Sequence, residues 1–209
     1  MKRWYYIVLL GLLILGCVYV YLHRQDLGLV SSTDTTTDGS SGADEDGTAY
    51  KPPHIVWQQV DRTPDGFKVD MPADVKDIQI PAYNEQGGAD QVNMIYSNAD
   101  AATTYSVAWA DNPPVMEASG RSPQRTLDTA QEDALLRTQT SLTAENKNET
   151  QGFPAREFSA KNVGGGVMSS RLIYAGTRLY MLIAAFPSAS ARRDQDVARF
   201  FNSFTILNK

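Results

Sequence analysis

One cysteine and two histidines are all that the 209 residues offer of the side chains that most often serve as nucleophiles, bases and soft-metal ligands. Cys17 lies in an apolar run near the start. The rest of the chain can therefore form no disulfide, and it has neither a thiol nucleophile nor a Cys-based metal site. His23 follows that run directly, which leaves His54 alone to carry imidazole chemistry in the globular part. The phosphate-cradling patterns G-x-x-x-x-G-K-S/T and G-x-G-x-x-G at a helix start are missing. Gly164 to Gly166 lie between two extended runs, where a hairpin turn accounts for them. There is no basic stripe and the net charge is −5, which argues against a nucleic-acid partner. No cofactor is expected.

What is present begins with the nineteen uncharged residues from Trp4 to Leu22, preceded by Lys2 and Arg3 and followed by His23 and Arg24. At ~1.5 Å per residue such a helix covers about 28 Å, close to the hydrocarbon thickness of a bilayer. Trp4, Tyr5 and Tyr6 at one end and Tyr19 and Tyr21 at the other fit interfacial belts, and no A-x-A-like cleavage site follows. Residues 1–25 therefore read as a membrane anchor that contacts the bilayer through residues 4–22. The basic N-terminus favours a single pass with the C-terminal part outside the cytoplasm. An alternative stays open. Ile14-Leu15-Gly16-Cys17 resembles a bacterial lipobox, which would make Cys17 a lipidation site and the chain a lipid-anchored lipoprotein, although the sequence remains apolar for five residues past it.

Residues 26–50 read as a flexible acidic tether of Ser, Thr, Asp and Gly, with almost nothing apolar to offset the entropy of ordering. Asp34, Asp38, Gly39 and Glu45 fall at positions 1, 5, 6 and 12 of a calcium-loop template. Thr36 stands at position 3 and no helices flank the loop, so calcium binding is not expected.

Residues 51–209 read as one α+β domain, an antiparallel sheet packed with two main helices. "HIVWQQV" and "GFKVDMP" are short extended runs, and "QVNMIYSN" pairs with "TTYSVAWA" across Ala99 to Ala102, Val107 and Trp109 pointing inward. Leu127, Ala130, Ala134, Thr138 and Leu142 share one face of a helix expected over 127–142. After the turn "NETQGFP" come three strands, "AREFSAK", "VMSSRLIYA" and "RLYMLIAAF". The last is apolar on both faces, which predicts a central position covered on both sides. Val197, Phe200, Phe201 and Phe204 form the stripe of a second helix that runs out into a short strand.

The order of these pieces resembles a family of uncharacterised bacterial envelope proteins with the PsbP-like α/β fold. The carrying residues are Trp57, the run from Gly66 to Pro72, "GFPAREF" from Gly152 to Phe158, "RLIYAGTRLYML" from Arg171 to Leu182 and "ARFFNSFTI" from Ala198 to Ile206. The resemblance spans the domain and neither the anchor nor the tether. It implies a sheet sandwiched by helices, in a group used mostly as binding or accessory modules, and it brings no catalytic residues.

Arg156 and Arg171 are the candidate polar contacts. Strand neighbours face opposite sides, so Arg156 cannot pair with Glu157 directly. It meets Arg171 or an acid across a hairpin, or it lines a groove, and a structural ion pair is the favoured reading. The adjacent Glu132 and Asp133 point to different sides of a helix and read as a solvated face. Ser169 and Ser170 lack the sharp turn of a nucleophile elbow. With no catalytic constellation, the sequence points to a non-enzymatic, membrane-tethered binding or accessory module with an envelope protein as partner. The rival is a small-molecule or lipid carrier whose apolar pocket is lined by Tyr174, Tyr180 and Phe186.

Overall fold

The computed structural model describes residues 55–83, 89–111 and 122–207. The anchor with Cys17, the tether and both histidines lie outside the described residues. Among the described residues no helix is long and apolar enough to cross a membrane.

In chain order the elements are β1 (Trp57–Arg62), a 3-10 turn (Thr63–Asp65), β2 (Phe67–Pro72), β3 (Lys76–Tyr83), β4 (Ala89–Asn98) and β5 (Thr104–Asp111). These are followed by α1 (Pro123–Thr138), β6 (Thr140–Thr150), β7 (Phe153–Asn162), β8 (Val167–Ala175) and β9 (Arg178–Phe186). A second 3-10 turn (Ala189–Ala191), α2 (Asp194–Ser203) and β10 (Thr205–Ile206) complete them. The fold is α+β with two helices, but its strands form two antiparallel sheets where the sequence points to one. The small sheet has the order β1-β2-β10, and the large one β3-β4-β5-β9-β8-β7-β6.

Strand β9 is the fourth of seven in the large sheet, and its two faces feed two cores. Leu179, Met181 and Ile183 join Leu127, Ala130 and Ala134 of α1, together with Phe158, Leu172 and Tyr174. Tyr180, Leu182, Ala184 and Phe186 point the other way, to Phe67, Val69 and Met71 of β2 and Val197, Phe200 and Phe201 of α2. The molecule is thus three layers: α1, the large sheet, and a layer in which the small sheet and α2 lie side by side. Phe67 is the hub of the second core. Its ring lies 5.1 Å from Trp109, 5.8 Å from Tyr180 and 5.3 Å from Phe204. Arg178 Nη1 and the Tyr180 hydroxyl both donate to the Asp65 carbonyl, at 2.6 and 3.2 Å, which ties the first 3-10 turn to β9.

Helix α1 starts four residues earlier than its apolar periodicity indicates and also ends four residues earlier. Ser122 accepts from the Arg125 N–H as N-cap and Pro123 occupies the first turn, where its missing N–H costs nothing. At the other end Gln139 adopts φ 51°, and its N–H donates to the carbonyls of Leu135 and Leu136. Leu142, placed on the helix by periodicity, sits in β6 opposite Ala160. β6 itself is a polar edge strand, exposed along most of its length and broken by a bulge at Leu142/Ala144, a form that discourages pairing with other chains.

A left-handed residue at a helix end favours glycine, and the Gln139 side chain is exposed. Gln139→Gly should therefore raise the unfolding free energy by about 1 kcal/mol, read as a higher denaturant midpoint at unchanged slope.

Candidate functional site

The α2 side of the large sheet is not covered to its edge. On β7 and β8 this face carries Ala155 and Ile173 where the second core packs, then changes to Glu157 and Ser159 and to Ser169 and Arg171. Beyond them β6 presents Ala144 and Asn146, both exposed. With Val197, Ala198 and Phe201 of α2 as the opposite wall, these residues enclose a groove of about 480 Å³. A smaller recess of about 270 Å³ continues from it past Glu157, Arg171 and Asn202 to Gln151 and Phe204.

Arg171 is the post between the two. Its Nε and Nη2 reach Glu157 Oε1 at 2.9 and 2.8 Å, straight across the β7–β8 register. Its Nη1 donates to the Phe201 carbonyl at 2.6 Å, and its guanidinium carbon lies 4.9 Å from the Phe201 ring centre. That carbonyl is in the last turn of α2, where no intrahelical N–H serves it and a cation is favoured by the helix dipole. Asn148 Nδ2 donates to the same Glu157 oxygen at 3.2 Å. Arg192 pairs with Asp194 at 2.7 Å at the start of α2. The charges lining the groove are therefore engaged with one another. The Ser169 hydroxyl is buried in the floor and has no hydrogen-bond partner among the described residues.

At the far end, Gln151 (φ 55°) and Gly152 (φ 84°) make the two-residue turn between β6 and β7. Positive φ at both positions suits the strand twist of a tight hairpin. The Gln151 amide donates to the Phe204 carbonyl at 2.7 Å and accepts from the Ile206 N–H at 3.0 Å, standing in for a strand rung against β10.

Arg156 is not in this groove. It lies on the opposite face, 1% exposed, under α1. It forms ion pairs with Asp128 of α1 and with Glu145 across the β6–β7 hairpin, the latter at 3.2 Å. Its Nη1 also donates to Gln131 Oε1 at 2.8 Å. The sheet thus separates Arg156 from Arg171, and each finds its own acids. Tyr174 belongs to the α1 core, and Tyr180 and Phe186 to the α2 core, so these three do not line a shared pocket. Glu132 is exposed and Asp133 is buried. Among the described residues no three His, Cys, Asp or Glu side chains converge as metal ligands. Sequence reasoning does not single out Asn146 or Arg192, and it marks Asn148 only as the first residue of an N-x-T sequon. The available signal is the polar alternation of Glu157, Ser159, Ser169 and Arg171 within otherwise apolar strands.

The start of α2 is braced from the β4–β5 turn. Asp100 accepts from the N–H groups of Ala102 and Thr103, each at 2.8 Å, and pairs with Arg193 at 3.0 Å. Burial pushes the Asp100 carboxyl up, but these donors and Arg193 outweigh it and hold the group below the usual carboxylate range.

Compared with solved structures, the chain superimposes on cyanobacterial PsbP from Synechocystis sp. PCC 6803 with a TM-score of 0.50 at 12% identity, covering 80% of this chain and 98% of that one. The fold is PsbP-like. A protein of unknown function from Pseudomonas aeruginosa matches with a TM-score of 0.35 at 10% identity, over 70% of this chain and 91% of that one, too weakly to support an argument. No family model and no curated protein matches the sequence. A PsbP-like fold at this identity fixes the architecture and leaves the groove to be read from its own residues.

Three variants test the bracing. Arg171→Ala should cost about 1–3 kcal/mol and speed amide exchange in the last turn of α2. Arg171→Lys should recover only part of this, because one ammonium cannot serve Glu157 and the Phe201 carbonyl in the same fork geometry. Asp100 titrates lower folded than unfolded, so its stabilisation is present above the unfolded value and is lost as pH falls through the folded one. Asp100→Asn should accordingly lower stability near neutral pH and flatten the acid limb of a stability–pH curve.

Proposed function

We propose that this protein is a membrane-tethered, extracytoplasmic binding or accessory module without catalytic activity, and that the groove between α2 and strands β6 to β8 receives a segment of an envelope protein. The observation that carries this reading is the groove itself, a long mixed surface where the packed layer stops short of the sheet edge. Val197, Ala198 and Phe201 offer apolar contact, while Asn146, Ser159 and Asn202 offer hydrogen bonds. Because Arg171 and Arg192 are held by their own acids, recognition falls to shape and hydrogen bonding, with no net attraction for a phosphate or a carboxylate. The groove hydroxyls, Ser159 and Ser169, have no histidine beside them in sequence or on the paired strands, which supports the non-catalytic reading. The uncharged run from Trp4 to Leu22 supports attachment to a bilayer, and the Ser/Thr/Asp/Gly stretch after it supports a flexible link.

A photo-crosslinking amino acid at Asn202, in the groove, should give a discrete adduct with one envelope protein in intact cells. The same probe at the exposed Glu132, on the far side of the sheet, should give none. Equal, diffuse labelling from both positions would sink the groove as a docking site.

A further inference from the structure

The strand register fixes two ends of the molecule. At one end lie the β7–β8 turn, the paired Thr140 and Asn162, the Val167–Phe186 pair and the β4–β5 turn. Trp57, at the start of β1, belongs to that end too. It pairs with Pro72, the Val56 carbonyl accepts from the Ala73 N–H, and the Ala73 carbonyl accepts from Ser97 beside the β4–β5 turn. The last turn of α1 also arrives there, since Thr138 Oγ1 lies 2.6 Å from Thr140 Oγ1.

All four exposed large apolar side chains among the described residues lie at this end. They are Val56 (62% exposed), Leu136 (70%), Leu142 (42%) and Val163 at the tip of the β7–β8 hairpin (101%). Among the described residues the turns of the opposite end show Thr63, Pro64, Gln151, Gly152, Gly176 and Thr177, with no exposed large apolar side chain. The apolar end is also the one at which the chain comes from its N-terminal residues, which contain the apolar run from Trp4 to Leu22. Four separate protruding side chains do not make the concave, shape-matched patch of a protein interface. They suit a fluid acyl boundary, into which single apolar side chains can dip independently.

The geometry points to this end as a membrane-apposed surface: Val163, Leu136, Leu142 and Val56 rest in the outer layer of the bilayer that anchors the chain. The inference rests on the membrane-tethered reading above and adds an orientation to it. Exposed charges at this end are of both signs, Lys76, Lys161 and Arg192 against Asp74 and Asp194, with Arg192 paired to Asp194 at 2.7 Å, so the contact is apolar and independent of anionic lipid.

The test uses the full chain reconstituted in phosphatidylethanolamine–phosphatidylglycerol vesicles, with Cys17 left intact. An environment-sensitive fluorescent amino acid is placed at position 163 or, as a control for the opposite end, at 177. Flotation with the vesicles, a blue shift at 163 and its quenching by doxyl-labelled lipid, with neither at 177, are the expected results. High salt should leave the quenching unchanged, and Leu136→Ser with Leu142→Ser should reduce it. A floating chain with both positions unquenched, or both quenched alike, overturns the orientation while the anchor stands. A chain that does not float overturns both. Shielding of 163 that grows with protein density and ignores the lipid quencher assigns the surface to a second copy and also overturns the proposal.

Discussion

The burial of strand β9 on both faces is the constraint from which the other layers follow. A strand reading RLYMLIAAF has no side it can give to water, so helices or strands must cover it above and below. On one side α1 supplies Leu127, Ala130 and Ala134. On the other, Phe67, Phe200 and Phe204 fill a deeper space with edge-on and stacked rings. The cover is widest over β5, β9 and β8 and gives out toward β6. The groove is the visible edge of that limit: where apolar Ile173 gives way to Arg171 and Ser169, close packing against α2 ends and the groove opens between the helix and β6.

The two arginines show how the sheet handles charge at the edge of its cover. Arg156 is taken out of water under α1, a placement tolerated only because Asp128, Glu145 and Gln131 converge on its guanidinium. Arg171 is used differently. One side of its fork holds Glu157 on the neighbouring strand and the other holds a terminal carbonyl of α2, so a single side chain fixes the helix against the sheet at the point where hydrophobic contact thins. Phe201 beneath the guanidinium adds a face-on contact that an ammonium of the same charge fits less well.

The elements legible in the sequence are those with a burial pattern. Strands β7, β8 and β9 alternate or run apolar between glycine turns, and the spacing of Val197, Phe200 and Phe201 is enough by itself to mark α2. β6 carries no such pattern, because as an edge strand with most side chains in water it has nothing to alternate. Its polar letters read as loop, and a coincidence of spacing draws Leu142 onto a helix that the left-handed turn at Gln139 cuts off. β3, the other edge, contains Pro81 and escapes notice for a similar reason, since proline is tolerated only where a ladder N–H is not needed. The groove is not legible at all. Arg171 and Glu157 can be named from sequence, but that they share a face left open by α2 depends on where a distant helix stops.

The division of the surface has a mechanical consequence. The groove runs along the flank of the sheet, between α2 and β6, whereas the exposed apolar side chains sit at the end where the β7–β8 hairpin turns. A surface occupied at that end leaves the flank open to approach from the side. The two are linked through stiff elements: β7 and β8 carry Glu157 and Arg171 in the groove wall and lead directly into the turn that bears Val163. Asp100, Arg193 and Asp196 hold the start of α2 at that same end, so the wall of the groove is fixed from both ends of its helix, by this ion-paired brace and by Arg171. A partner segment would therefore meet a preformed slot, and little ordering of the protein would be subtracted from its affinity.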